Sequence, residues 1–86
     1  MNTSRLTTLR WNDLVNSKMI GNDILIEYTY PVNGLVTNIF IKKVKVIGTD
    51  YVGKDRILLV YDPKVDDIFI IKRDDQGYLW DAYMEV

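Results

Sequence analysis

Ile39-Phe40-Ile41-Lys42-Lys43-Val44-Lys45-Val46-Ile47 alternates as a β-strand should, but its apolar parity changes midway. Successive strand side chains face opposite sides of a sheet, so Ile39 and Ile41 share one face, Val44 and Val46 share the other, and Lys42-Lys43 marks the change. That pair predicts a bulge or sharp bend. A bend there would let one long strand, 36–47, serve both sides of a curled sheet, as corner strands of small barrels do.

The flanking segments agree with a β-rich chain. Ile24, Ile26, Tyr28 and Tyr30 alternate with Leu25, Glu27 and Thr29 in a strand over 24–30. Pro31-Val32-Asn33-Gly34 then reads as a hairpin turn, because Asn-Gly tolerates the positive φ that tight turns require. Beyond the long strand, Gly48-Thr49-Asp50-Tyr51-Val52-Gly53-Lys54-Asp55 reads as a loop, and the apolar run 57–61 as a central strand covered on both faces. Asp62 to Asp67 and Asp74 to Gly77 are turns that separate strands over 68–72 and 78–84.

The first 22 residues differ in composition. Leu9, Trp11, Leu14, Val15 and Met19 fall at spacings that suit one apolar face of a helix over 10–18, with Thr7 or Thr8 as cap. Asn12, Asn16 and Ser17 weaken that helix. The expected architecture is a single mainly β (α+β) domain over 1–86. A short N-terminal helix within 1–22 precedes a bent five-stranded antiparallel meander over 23–86, which forms a partly closed barrel of the SH3 or Sm kind.

Ile26-Glu27-Tyr28, Gly34 with Thr37, Leu58-Leu59-Val60-Tyr61-Asp62 and Phe69-Ile70-Ile71-Lys72-Arg73 together resemble the hairpin succession of WYL-type domains. Those are Sm-like barrels attached to bacterial regulators and thought to sense ligands or nucleic acid. No Trp-Tyr-Leu signature is present, and Lys72 and Arg73 alone stand where that family carries basic residues near its ligand groove. The resemblance therefore implies a barrel and little of the function. In size, and in its richness in Asn, Asp, Lys, Ile and Tyr, the chain also resembles small bacteriophage accessory proteins that inhibit or redirect host factors.

Composition narrows the chemistry. Neither histidine nor cysteine occurs, so the side chains most used for proton transfer and transition-metal binding near neutral pH are both missing. The adjacent acidic pairs Asp66-Asp67 and Asp74-Asp75 read as solvated turn residues, and no acidic spacing matches an EF-hand. Gly48 to Gly53-Lys54 echoes a P-loop, but Asp55 stands where a hydroxyl should meet Mg²⁺. The chain is accordingly expected to be no enzyme and to use no metal and no cofactor.

A net charge of −1 is far from the basic footprint of a phosphate-driven nucleic-acid binder and from the acidity of a DNA mimic. No apolar stretch reads as a membrane span or a secretory leader, so a cytoplasmic location is expected. The aromatics carry the recognition signal, because Tyr and Trp concentrate at interface centres. Tyr78, Trp80, Tyr83, Tyr28 and Tyr30 are the candidate partner-binding residues. Two orientations stay open at the last strand. Trp80 inward leaves Tyr83 and Leu79 near the surface, whereas Trp80 outward makes an apolar patch with Tyr78.

The leading expectation is a module that binds a protein partner. A homodimer through an exposed strand edge or the patch around Trp80 is a variant of it. A second reading is a barrel that senses or sequesters a small anionic ligand such as a nucleotide, using Lys42, Lys43, Lys45 and Arg73. Binding of single-stranded nucleic acid on exposed aromatics beside a basic groove is the third.

Overall fold

A computed structural model describes residues 5–32 and 35–85, with side chains described outside residues 30–38. The elements in chain order are strand β1 (Leu6–Thr8), helix α1 (Trp11–Leu14), a 3-10 turn (Ser17–Met19), and strands β2 (Asp23–Val32), β3 (Leu35–Val52), β4 (Asp55–Asp62), β5 (Asp67–Lys72) and β6 (Trp80–Glu85). All six strands belong to one antiparallel sheet ordered β1-β6-β2-β3-β4-β5. The mainly β class is as expected, but the described residues form six strands instead of five, in a sheet that does not close among them.

The extra strand is β1, which pairs Leu6, Thr7 and Thr8 with Glu85, Met84 and Tyr83. All three of its residues are exposed, so no buried alternation betrays it. The helix expected over 10–18 shrinks to one turn. Asn16 Oδ1 accepts the Lys18 backbone N–H at 3.0 Å, and this local bond diverts the chain into the 3-10 turn. At the start of α1 neither threonine caps; the Asp13 carboxylate instead accepts the Arg10 N–H at 3.0 Å.

The long strand is regular where a bend was expected. Register runs unbroken from Asp23↔Lys45 to Tyr30↔Asn38, and the shifts lie between Tyr30 and Pro31 and between Val46 and Gly48. The parity does not change at Lys42-Lys43, because Val44 and Val46 face the core while Ile39 and Ile41 lie on the outer face, 63% and 64% exposed. Lys42 takes an inward position. The stretch read as a loop is also strand, since Thr49, Asp50 and Tyr51 pair with Leu58, Ile57 and Arg56. Only Gly53-Lys54 turns, with Gly53 at φ +63°. The phosphate-loop echo is thereby accounted for as strand.

The last connection is not a hairpin. Arg73–Asp75 forms a second 3-10 turn, and the Asp75 carbonyl accepts the N–H groups of Tyr78 and Leu79 at 3.1 and 2.8 Å. This link carries the chain back across the curl to lay β6 against β2, pairing Trp80 with Tyr28 and Ala82 with Ile26. Strands β2 to β5 thus form the meander, and β6 and β1 extend its opposite side.

The concave face of the curled sheet holds the core. Ile24 and Ile26 (β2), Val44 and Val46 (β3), Leu58 and Val60 (β4), Ile71 (β5), and Trp80 and Ala82 (β6) are buried there, and Leu9 and Leu14 cover them. Each large apolar side chain so buried contributes about 1.5–3 kcal/mol. Trp11 lies on Trp80, with ring centroids 6.2 Å apart and planes at 53°.

Candidate functional site

The curl leaves a seam between β5 and the far half of β2. The two-residue turn Gly53-Lys54 makes Val52 and Asp55 a hydrogen-bonded pair. Alternation then directs the backbone groups of Ile57 and Leu59 toward β3, and those of Leu58 and Val60 toward β5. Ile68, Ile70 and Lys72 lie opposite Tyr61, Leu59 and Ile57, so their N–H and C=O groups point away from β4 into the seam. Two side-chain bonds agree with this assignment. Trp80 Nε1 donates to the Lys72 carbonyl at 2.9 Å, and Asp67 Oδ1 accepts the Ile68 N–H at 2.8 Å. Among the described residues, none bonds to the edge at Ile70.

Two grooves follow the seam, and both include Tyr28 and Ile70. One, of about 470 Å³, lies among Phe40, Lys42 and Phe69; the other, of about 390 Å³, runs on past Thr29 to Leu79 and Trp80. Their lining is mainly apolar. Strand β5 supplies Phe69, Ile70 and Ile71 to this lining; its alternation sends Phe69 and Ile71 inward and leaves Ile68 and Ile70 53% and 56% exposed.

One charged pair underlies the groove. Asp62 is the one buried charged residue among the described residues. Its Oδ1 accepts the Lys64 N–H at 2.9 Å, and its Oδ2 meets the Lys42 ammonium at 3.1 Å. The same ammonium stands 5.3 Å from the centroid of the Phe69 ring. Burial works to raise the Asp62 carboxyl, but the Lys64 N–H, the adjacent Lys42 ammonium and the charge of Lys64 outweigh it and hold the group below its usual value. Burial, and after it the charge of Asp62, pushes the Tyr28 phenol up.

The candidate aromatics do not form one patch. Tyr28 is half-buried at the junction of the two grooves. Trp80 is only 4% exposed and belongs to the core, which corrects its reading as a partner-binding surface; its indole is committed to Trp11 and the Lys72 carbonyl. Tyr78 is 73% exposed but sits in the link before β6. Tyr83 is half-buried on the outer face beside Leu25, where burial and then Glu27 and Asp81 raise its phenol. The Tyr30 side chain lies outside the described residues.

The basic candidates separate likewise. Lys42 faces inward, Lys43 and Lys45 lie exposed on the outer face, and Arg73 borders a different cleft. Alternation alone divides Lys42 from its neighbours, so the three lysines cannot converge on one anion. Phe69, Ile70 and Asp62 are not among the site candidates that the sequence offers. The apolar run Ile68-Phe69-Ile70-Ile71 carried the missing signal, because a run apolar on both faces at a sheet edge exposes half of itself.

Among the described residues no three acidic side chains gather closely enough to hold a metal ion. No helix among them is long and apolar enough to cross a membrane. Compared with known proteins, the chain matches no family model, no curated protein and no solved structure.

Proposed function

We propose that this chain is a non-enzymatic binding module that receives an extended segment of a protein partner in the seam between β5 and β2. The open backbone edge at Ile70 beside the apolar groove of Tyr28, Phe40, Phe69 and Ile70 supports this reading. An inserted strand would bond to the β5 edge and rest alternate side chains on Tyr28 and Phe69. The addition would complete the barrel that the chain alone leaves open. A modulator of a host factor, of the kind the composition resembles, would act by sequestering such a segment.

The test is a selection of binders from a random library of extended peptides, followed by backbone amide exchange on the complex. Bound peptides should protect Ile70, and Ile70→Pro should weaken them at least about tenfold with native circular dichroism retained. Proline removes only the seam-facing donor, and edge strands tolerate it. Tyr83→Ala, on the opposite face, should leave the affinity within about twofold, since surface changes away from a contact shift free energies by only about 0.5 kcal/mol. Undiminished binding by Ile70→Pro, or protection confined to the outer face, would sink the proposal.

A further inference from the structure

Beside the seam, sharing Lys72 and Asp75 with its second groove, a cleft of about 460 Å³ gathers four cationic side chains from four elements. Lys54 comes from the β3–β4 turn, Arg56 from β4, and Lys72 with Arg73 from the end of β5 and the turn that follows. Trp11 forms part of the wall. Its ring contact with Trp80 fixes its orientation from the core side. The Arg56 guanidinium is held by the Val15 carbonyl at 3.3 Å and by Thr49 Oγ1 at 3.4 Å.

Asp55, Asp74 and Asp75 also border the cleft. None of them lies within ion-pair distance of the four cations, since the Lys42–Asp62 pair is the one such contact among the described residues. The cations therefore keep their charge available. The carboxylates offer hydrogen-bond acceptors nearby. This mixture of positive charge, acceptors and one indole wall has a matching ligand chemistry: an anionic phosphate, hydroxyl and amino donors, and a flat ring, in one molecule. The volume lies within the range of small-molecule sites, about 300–1,000 Å³.

We infer that this cleft binds a nucleoside phosphate, with the phosphate between Lys54 and Arg73 and the base against Trp11. Arginine and lysine contacts of this kind are charge-assisted, and an indole accepts any base by stacking. The source of the chemistry is a free nucleotide or the end of a single strand. Lys54 and Arg73 do not line the seam grooves, so the site can be tested independently of partner capture.

Calorimetric titration of the full chain with adenosine 5′-monophosphate, adenosine, inorganic phosphate and a short single-stranded oligoadenylate makes the test. The monophosphate should bind at least about tenfold more tightly than adenosine or inorganic phosphate, because it alone engages both cations and ring. Lys54→Ala/Arg73→Ala, at two exposed positions, should weaken it at least about tenfold while circular dichroism stays native. Tighter binding of the oligoadenylate, falling steeply with salt, assigns the site to a single strand; equal or weaker binding assigns it to the free nucleotide. No heat from the monophosphate at millimolar concentration, equal affinity for inorganic phosphate, or an unaffected double variant would each overturn the inference.

Discussion

Trp80→Ala should cost the fold about 3–5 kcal/mol, as truncations of fully buried tryptophans do. Small domains are stable by about 5–15 kcal/mol in total, and one of 86 residues belongs toward the lower end of that range. The variant therefore stands close to unfolding. The loss has three parts. The indole leaves a cavity in the concave core, Trp11 loses its ring partner at 6.2 Å, and the Lys72 carbonyl loses its donor at 2.9 Å.

That last bond makes the position more than a filler. It ties the end of β5 to the start of β6, two strands that the sheet order separates, and so holds the curl that shapes the seam. Trp80→Phe distinguishes the contributions, because it keeps much of the ring while leaving the carbonyl unpaired, a loss of about 1–3 kcal/mol. Urea unfolding followed by far-UV circular dichroism measures both variants. A change under about 1 kcal/mol for Trp80→Ala would contradict the burial. Lost partner binding by this variant would report unfolding, whereas lost binding by Tyr28→Ala with the fold intact would report the groove.

The strands were legible where one face is buried and the other wet. Ile24 and Ile26 against Leu25 and Glu27 show the period of two directly, and the sheet keeps it. Lys42 misled for a physical reason. A lysine at an inward position breaks the apolar pattern, and the carboxylate that makes it tolerable lies twenty residues away at Asp62. Without knowledge of that pairing, Ile39 and Ile41 are the natural candidates for burial, and a bend follows as the device that reconciles the two parities. The strand Leu6–Thr8 and the return of β6 to β2 rest on backbone pairing and on one indole bond, which leave no periodic trace. The site was legible only in Tyr28 and Lys42. Phe69 and Ile70 escaped notice because adjacent apolar residues do not say which of them is inside.

Lys42→Met should destabilise the protein at neutral pH, and the deficit should shrink as the pH falls toward about 3, around and below the usual aspartate value near 3.9. The sign follows from the Asp62 carboxyl, whose value in the folded chain is lowered. A group lowered on folding contributes stability above its unfolded value and loses it as pH falls through the folded one. Without the ammonium, Asp62 stays buried with only the Lys64 N–H and the Lys64 charge to stabilise its anion. Burial then weighs more heavily toward protonation. The wild-type advantage therefore belongs to the ionised carboxylate and disappears once it is protonated. Other carboxylates titrate alike in both proteins and cancel in the difference. Asp62→Asn should be milder than Lys42→Met, because the amide oxygen can still accept the Lys64 N–H and Lys42 reaches water. Thermal unfolding of the three proteins from neutral pH to about pH 3 reads the effect. A difference between wild type and Lys42→Met that stayed constant across that range would show that Lys42 acts by packing on Phe69 alone.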